Sequence, residues 1–344
     1  MSTTEVGLAM AQLVLTRYIL PICFILGLFG NICNISIFIQ KPLRSNSCSI
    51  YFIAASIVNI FIINFGIIPT IVASYEIEPA LYLPWACKIK LYGLHSLLMM
   101  SRTYIVLACI DQFAYSSTNA RLRQFSRSQI ALKLLPIVPI MWLLIPIHML
   151  VFVDIQVLNV RCGTSGTYSL VFSIYSFIFS SLPLILMIIF SSWAFSNVRQ
   201  ANRRVLSAIN NGIRGRDIRR RKYDYQIMIM LVCQVIVYLI SNILHPTNTL
   251  YMSLTAVPSG GPRKSALRLA IEGFVTYLTW GFLIYINSCA TFYINFFVSR
   301  VFRLRFYKLL SFTFNWFLYI GRQDQPPGNV DTSVSATSRS TQRP

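Results

Sequence analysis

Charge is what this sequence has least of. Only 12% of its 344 residues are Asp, Glu, Lys or Arg, about half the ~25% share of an ordinary soluble domain. The shortage falls on one sign: 10 acidic residues stand against 30 basic ones, a formal net charge of +20. Histidine occurs three times, at His95, His148 and His245, on separate segments. No His, Cys or acidic cluster has metal-ligand spacing, so neither an enzyme nor a bound cofactor is expected. Internal repeats are absent, and so is an acidic relay at mid-membrane depth. Both absences weigh against the alternative of a transporter or channel.

Long uncharged runs fill the space that charge leaves. They cover residues 18–40, 45–75, 91–110 (interrupted by Arg102), 134–153, 162–198, 225–262 and 273–299. A helix needs about 20 mostly apolar residues to cross the ~30 Å hydrocarbon layer, and each run is long enough. Unpaired backbone groups are prohibitive in lipid, so only helices or closed barrels cross. Barrel strands alternate apolar and polar residues; residues 182–190 (LPLILMIIF) do not. The fold class is therefore all-α: a seven-transmembrane helix bundle in a lipid bilayer.

Lys and Arg in the short loops set the orientation. The loops after the first, third, fifth and seventh helices, with the tail, hold 22 of them, and the opposite side holds 7. The expected topology places the N-terminus outside the plasma membrane and the C-terminus in the cytoplasm. Membrane topology accounts for the basic excess, so nucleic acid is not an expected partner. The run 214–222 (RGRDIRRRK) is expected against anionic lipid. No basic region precedes a short apolar core at the N-terminus, so the first helix is expected to act as its own insertion signal. The organisation that follows is an extracellular N-tail over 1–12, a receptor-like domain over 13–299, an amphipathic interfacial helix over 300–320, and a disordered cytoplasmic tail over 321–344.

Six of the eight cysteines fall in or at the ends of apolar runs, where free Cys behaves as a small hydrophobe. Cys87 and Cys162 fall on the outer side, in a compartment that permits disulfides, and no other cysteine competes there. A bridge would pin the second outer loop over the bundle mouth; the alternative is two free outer thiols.

The order of these features resembles a rhodopsin-like (class A) G-protein-coupled receptor over about residues 13–306. Gly30-Asn31 is similar to the family's Gly-Asn pair in helix one. Cys87 and Cys162 stand at its outer disulfide, and Asp111-Gln112-Phe113 stands where it has Asp-Arg-Tyr. Trp142 and Pro146, Pro183 and Pro246 resemble its markers in helices four, five and six. Asn287-Ser288-Cys289 is similar to the segment preceding its Asn-Pro-x-x-Tyr motif, and Phe302-Arg303 to the start of its interfacial helix. The interval from Cys87 to Asp111 would span about 36 Å at ~1.5 Å per residue, from one membrane face to the other. The chain departs at the family's switch positions: Gln112 replaces Arg, Asn59 replaces Asp, Leu244 replaces Trp, and 291–295 lacks the proline.

The resemblance implies an extracellular ligand, a heterotrimeric G protein at the inner face, and an arrestin-like partner at a phosphorylated tail. It implies a ligand site of His95, Tyr175, Phe179, Asn248, Tyr251, Tyr277, Trp280 and Tyr285. Leu94 stands where amine receptors carry Asp, so an amine finds no counter-ion. The last helix has no Lys, which excludes covalent retinal. A peptide remains favoured, with Glu76, Glu78, Asp154 and Glu272 near the mouth. Switch and coupling roles fall on Asp111, Gln112, Arg102, Asn59, Pro183 and Pro246. Asn59 is expected to bond Asn31 or Ser288, and Asp111 to pair with Arg121 or Arg123. Arg102, costly at mid-membrane, is expected to turn inward toward Asn59, Asn64 and Ser180. The alternative function is a receptor-like membrane protein that does not couple.

Overall fold

The computed structural model describes residues 2–41, 43–75, 83–156, 161–164, 166–208, 215–255 and 264–323, of which 45, 156, 161, 201–208, 215–224 and 313–323 are described by their backbone alone. Seven helices among them are long and apolar enough to cross a membrane: Thr3–Phe38, Ser47–Val72, Pro84–Ser116, Ser128–Phe152, Gly166–Gln200, Tyr225–Leu254 and Ala266–Val298. They are called first to seventh in chain order, with outer and inner ends following the Lys/Arg bias. Together they make a multi-pass architecture.

The first helix starts well before the apolar run because Ser2 and Glu5 form a reciprocal capping box. The stretch Thr3–Val14 thus continues the helix outward. Two prolines then shape the bundle. Pro21 and Pro69 have no N–H and would collide with the carbonyl four residues back. In each case a widened π turn, Leu15–Ile19 or Ile63–Ile67, ends just before the proline and absorbs the mismatch. The sixth helix is interrupted at Ile243, between Gly215–Asn242 and Leu244–Leu254, three residues before Pro246.

The third helix is the central one. In its most apolar window 72% of residues are buried, against 22% in the first, fourth and seventh helices. Those outer helices turn large apolar side chains outward, including Ile25, Leu144 and Val151, each more than 60% exposed. A water-soluble surface rarely carries such a belt, whereas hydrocarbon solvates it. A buried apolar core gathers Leu20, Ile62, Ile67, Leu94, Ile284 and Tyr285 from four helices.

Between the fourth and fifth helices lies an antiparallel hairpin, β1 (Asp154–Gln156) and β2 (Arg161–Gly163), with Ile155 opposite Cys162. Cys162 is disulfide-bonded to Cys87 at the start of the third helix, with Cα atoms 5.5 Å apart. The bridge closes a sequence separation of 75 residues and settles the choice against free thiols.

Two compact units divide the chain, Met1–Arg303 and Leu304–Pro344. A helix runs over Arg300–Gln323. In the first unit Phe302 is buried and packs against Phe38 and Phe292. In the second, Leu304, Tyr307, Leu310 and Phe312 are exposed apolar side chains. The helix runs three residues beyond its expected end at 320, so 321–323 of the expected disordered tail are helical; the rest of that tail, 324–344 with its phosphoacceptor residues, lies outside the described residues, as do Glu76 and Glu78.

Candidate functional site

At the outer half, the third, fourth and fifth helices meet through aromatic rings. His95 is almost fully buried, and its Nε2 lies 3.1 Å from the Tyr175 hydroxyl. The Tyr175 ring stands edge-on to His148 at 4.9 Å and contacts Phe179 at 4.7 Å. His148 Nδ1 lies 2.6 Å from the Tyr168 hydroxyl. Trp142 meets Phe179 edge-on and donates its indole N–H to Thr103 Oγ1 at 2.7 Å. The expected pair His95 and Tyr175 is thus one end of a larger aromatic cluster. His148 and Tyr168 belong to it, and no motif or spacing singled them out.

The remaining ligand-site candidates fall elsewhere. Asn248 donates to Thr276 Oγ1 at 3.2 Å, joining the sixth and seventh helices. Tyr251 lies 3.1 Å from Glu272. Glu272 is nearly buried and accepts from Lys264 at 2.7 Å and Arg268 at 2.9 Å. That carboxylate is already committed within the protein, so it is not a free acceptor for a basic ligand. Asp154 is exposed and accepts the Ile155 N–H. Tyr277 turns to the first helix, its hydroxyl 2.6 Å from Thr16 Oγ1. Tyr285 lies in the apolar core, its ring against Gly66 of the second helix. Trp280 stacks edge-on upon the buried His245 at 4.3 Å. The inward residue beside Pro246 is therefore His245; Leu244, which the sequence resemblance set at a Trp position, is 48% exposed. Gln234, Tyr238, Asn242 and His245 hold the buried face of the sixth helix at three- and four-residue spacing, which leaves Ile243 and Leu244 facing outward.

Below this layer runs a chain of amides. Asn59 accepts from Ser101 Oγ at 2.8 Å and donates to Asn31 at 3.4 Å. Asn31 in turn donates to the Ser288 carbonyl and to the Gly27 carbonyl, both at 2.8 Å. A second chain links Thr291, Asn34, Asn295 and Gln234, the last pair at 2.7 Å. Neutral amide bonds between membrane helices contribute about 0.6 kcal/mol each on average. Networks of this kind hold helices in register yet exchange partners at small cost.

Arg102 is 3% exposed. It does not reach Asn59, Asn64 or Ser180. Asn59 is occupied by Ser101 and Asn31, and Asn64 donates back to its own helix at Ile60. Arg102 instead turns to the sixth helix. It donates to Asn242 Oδ1 at 3.2 Å, lies over the Tyr238 ring at 5.6 Å, and contacts Met99 sulfur at 3.9 Å. Its Nε has no partner.

At the inner end, Asp111 is buried and accepts Ser47 Oγ–H at 2.6 Å. The expected ion pair with Arg121 or Arg123 is not formed. Both arginines are exposed on the short helix Ala120–Phe125, and Asp111 Oδ2 is unpartnered. Ser47 also lies 3.2 Å from Ser126 Oγ. Gln112 is buried as well. Pro183 sits inside the long fifth helix Gly166–Ala208. No protein-family model matches the chain, and no curated protein matches it.

Proposed function

We propose that this protein is a seven-helix receptor that takes an extracellular ligand at the outer aromatic layer and signals through a cytoplasmic G protein. The observation that carries the reading is the Cys87–Cys162 bridge. It anchors a hairpin at the start of the central helix, directly above the His95–Tyr175 cluster. A ligand held under that hairpin touches the third and fifth helices together, and it shifts the bundle only if it binds one arrangement more tightly. The polar layer beneath supplies what can shift. Arg102–Asn242 joins the third and sixth helices, and the amide chains join the first, second, third, sixth and seventh.

An amine is a poor ligand because Leu94 lies in the apolar core. A peptide that docks through its own aromatic and polar groups fits better than a strongly basic one, because Glu272 is taken. The helix Arg300–Gln323, with basic residues among exposed apolar ones, suits the inner interface.

A second reading, a receptor-like protein without coupling, is favoured by one observation: Gln112 is buried and uncharged, where a coupling arginine would carry charge. Nucleotide exchange on purified G proteins, with the protein in lipid nanodiscs, tests both. Exchange above empty nanodiscs supports the receptor reading. Exchange only in the Gln112→Arg variant supports the second, and no exchange with either removes G-protein signalling from the account.

A further inference from the structure

We propose that Ser126 is a phosphorylation site for an arginine-directed serine kinase, and that the phosphate releases the loop between the third and fourth helices. The sequence around it is Arg121-Leu122-Arg123-Gln124-Phe125-Ser126-Arg127. Arginines three and five residues ahead of a serine are what the acidic substrate cleft of such a kinase reads. Arg121, Arg123, Gln124, Phe125 and Arg127 are all exposed, with Phe125 at 64%. The segment is therefore presented on the surface, with the half-buried Ser126 ending the short helix Ala120–Phe125.

The second observation is what the Ser126 hydroxyl touches. It lies 3.2 Å from Ser47 Oγ, and Ser47 donates to Asp111 Oδ1 at 2.6 Å. Ser47 also reaches the Ser126 carbonyl at 3.4 Å. One serine thus fastens the loop to a buried carboxylate whose other oxygen is unpartnered. The kinase transfers the terminal phosphoryl group of ATP to Ser126 Oγ. The phosphoanhydride bond breaks, an O–P ester bond forms, the hydroxyl proton leaves to the kinase base, and ADP departs. The product carries nearly two negative charges, one hydroxyl away from the Asp111 carboxylate. Like charges that close in a buried site repel strongly. Charge-assisted bonds to the exposed Arg123 and Arg127 draw the phosphate outward instead. The loop then leaves Ser47.

The inference rests on the cytoplasmic placement of this loop and on nothing about ligand or coupling. The test uses the full chain in nanodiscs with a purified arginine-directed kinase and Mg-ATP. Mass spectrometry locates the phosphate, and hydrogen exchange reports on residues 117–127. The expected result is phosphate on Ser126, none at that site in Ser126→Ala, and amide exchange about ten-fold faster after modification. Phosphatase restores the slow rate. In Asp111→Asn the acceleration shrinks because the repelling charge is gone. Ser47→Ala supplies a second variant, in which exchange is fast before modification and changes little after it. Absence of phosphate at Ser126, or phosphate with unchanged exchange in the parent chain, overturns the proposal. Phosphate on Ser126 with no G-protein activation under any condition leaves it standing while the receptor reading falls.

Discussion

Arg102 of the third helix donates to the amide oxygen of Asn242 on the sixth, 3.2 Å away, with no carboxylate taking part in the contact. A buried guanidinium is thus held by one amide, one aromatic face and one thioether. Removing the amide leaves the charge almost bare. Asn242→Ala should lower stability by about 1.5–3 kcal/mol, the range for hydrogen bonds to charged groups. Replacing the cation and the amide together, as Arg102→Met with Asn242→Leu, should be neutral or stabilising, because apolar groups of similar volume avoid the desolvation cost of a buried charge. Thermal unfolding midpoints of the three proteins in one detergent check the order: double variant at or above parent, single variant below.

The outer bridge closes a long loop, so its loss should cost about 2–5 kcal/mol. Cys87→Ser and Cys162→Ser should each lower the unfolding midpoint as much as the double variant does, since either change breaks the same bond. An additive pair of losses would mean that the two sulfurs act separately.

Glycine at 66 is required by the close approach of the Tyr285 ring, which a Cβ at that position would overlap. Gly66→Ala should destabilise by about 1–3 kcal/mol through overpacking. Tyr285→Leu, made in the Gly66→Ala background, should recover part of that loss. Melting curves of the single and double variants decide it; no recovery would mean that the second helix shifts to make room.

Glu272 joins Lys264, Arg268 and Tyr251 at the outer ends of the sixth and seventh helices. Glu272→Gln removes the charge that both cations share. Hydrogen exchange over 264–272 should quicken in the variant at low salt. In the parent chain, rising salt should quicken it only modestly, because the carboxylate is shielded from solvent.

The seven helices were legible because lipid imposes a crude rule, an uncharged run of fixed length. Their ends were less so. The start at Thr3 depends on a capping box at Ser2 and Glu5 that the sequence displays and that hydropathy ignores. The polar core was half legible. Gln234, Tyr238, Asn242 and His245 recur at three- and four-residue spacing, which puts them on one face of the sixth helix. That stripe would have named the partners of Arg102, where the expected neighbours were Asn59, Asn64 and Ser180. Leu244 misled for a related reason: correspondence to a motif says nothing about which face of the helix is buried, and the same stripe puts His245 inward and Leu244 outward. The Ser47–Asp111 bond was out of reach, because a serine at a helix start gives no sign of the carboxylate it will meet 64 positions later. The hairpin Asp154–Gln156 and Arg161–Gly163 carries no strong turn signal either.

A receptor role depends on which ends of the seven helices face the cytoplasm. Single cysteines placed at Gly7 and at Phe125, both open in the structure, can be labelled on cells with a membrane-impermeant maleimide. The account predicts labelling of Gly7→Cys on intact cells, and labelling of Phe125→Cys only after permeabilisation. Labelling of Phe125→Cys on intact cells, or protection of Gly7→Cys until the membrane is opened, would contradict it.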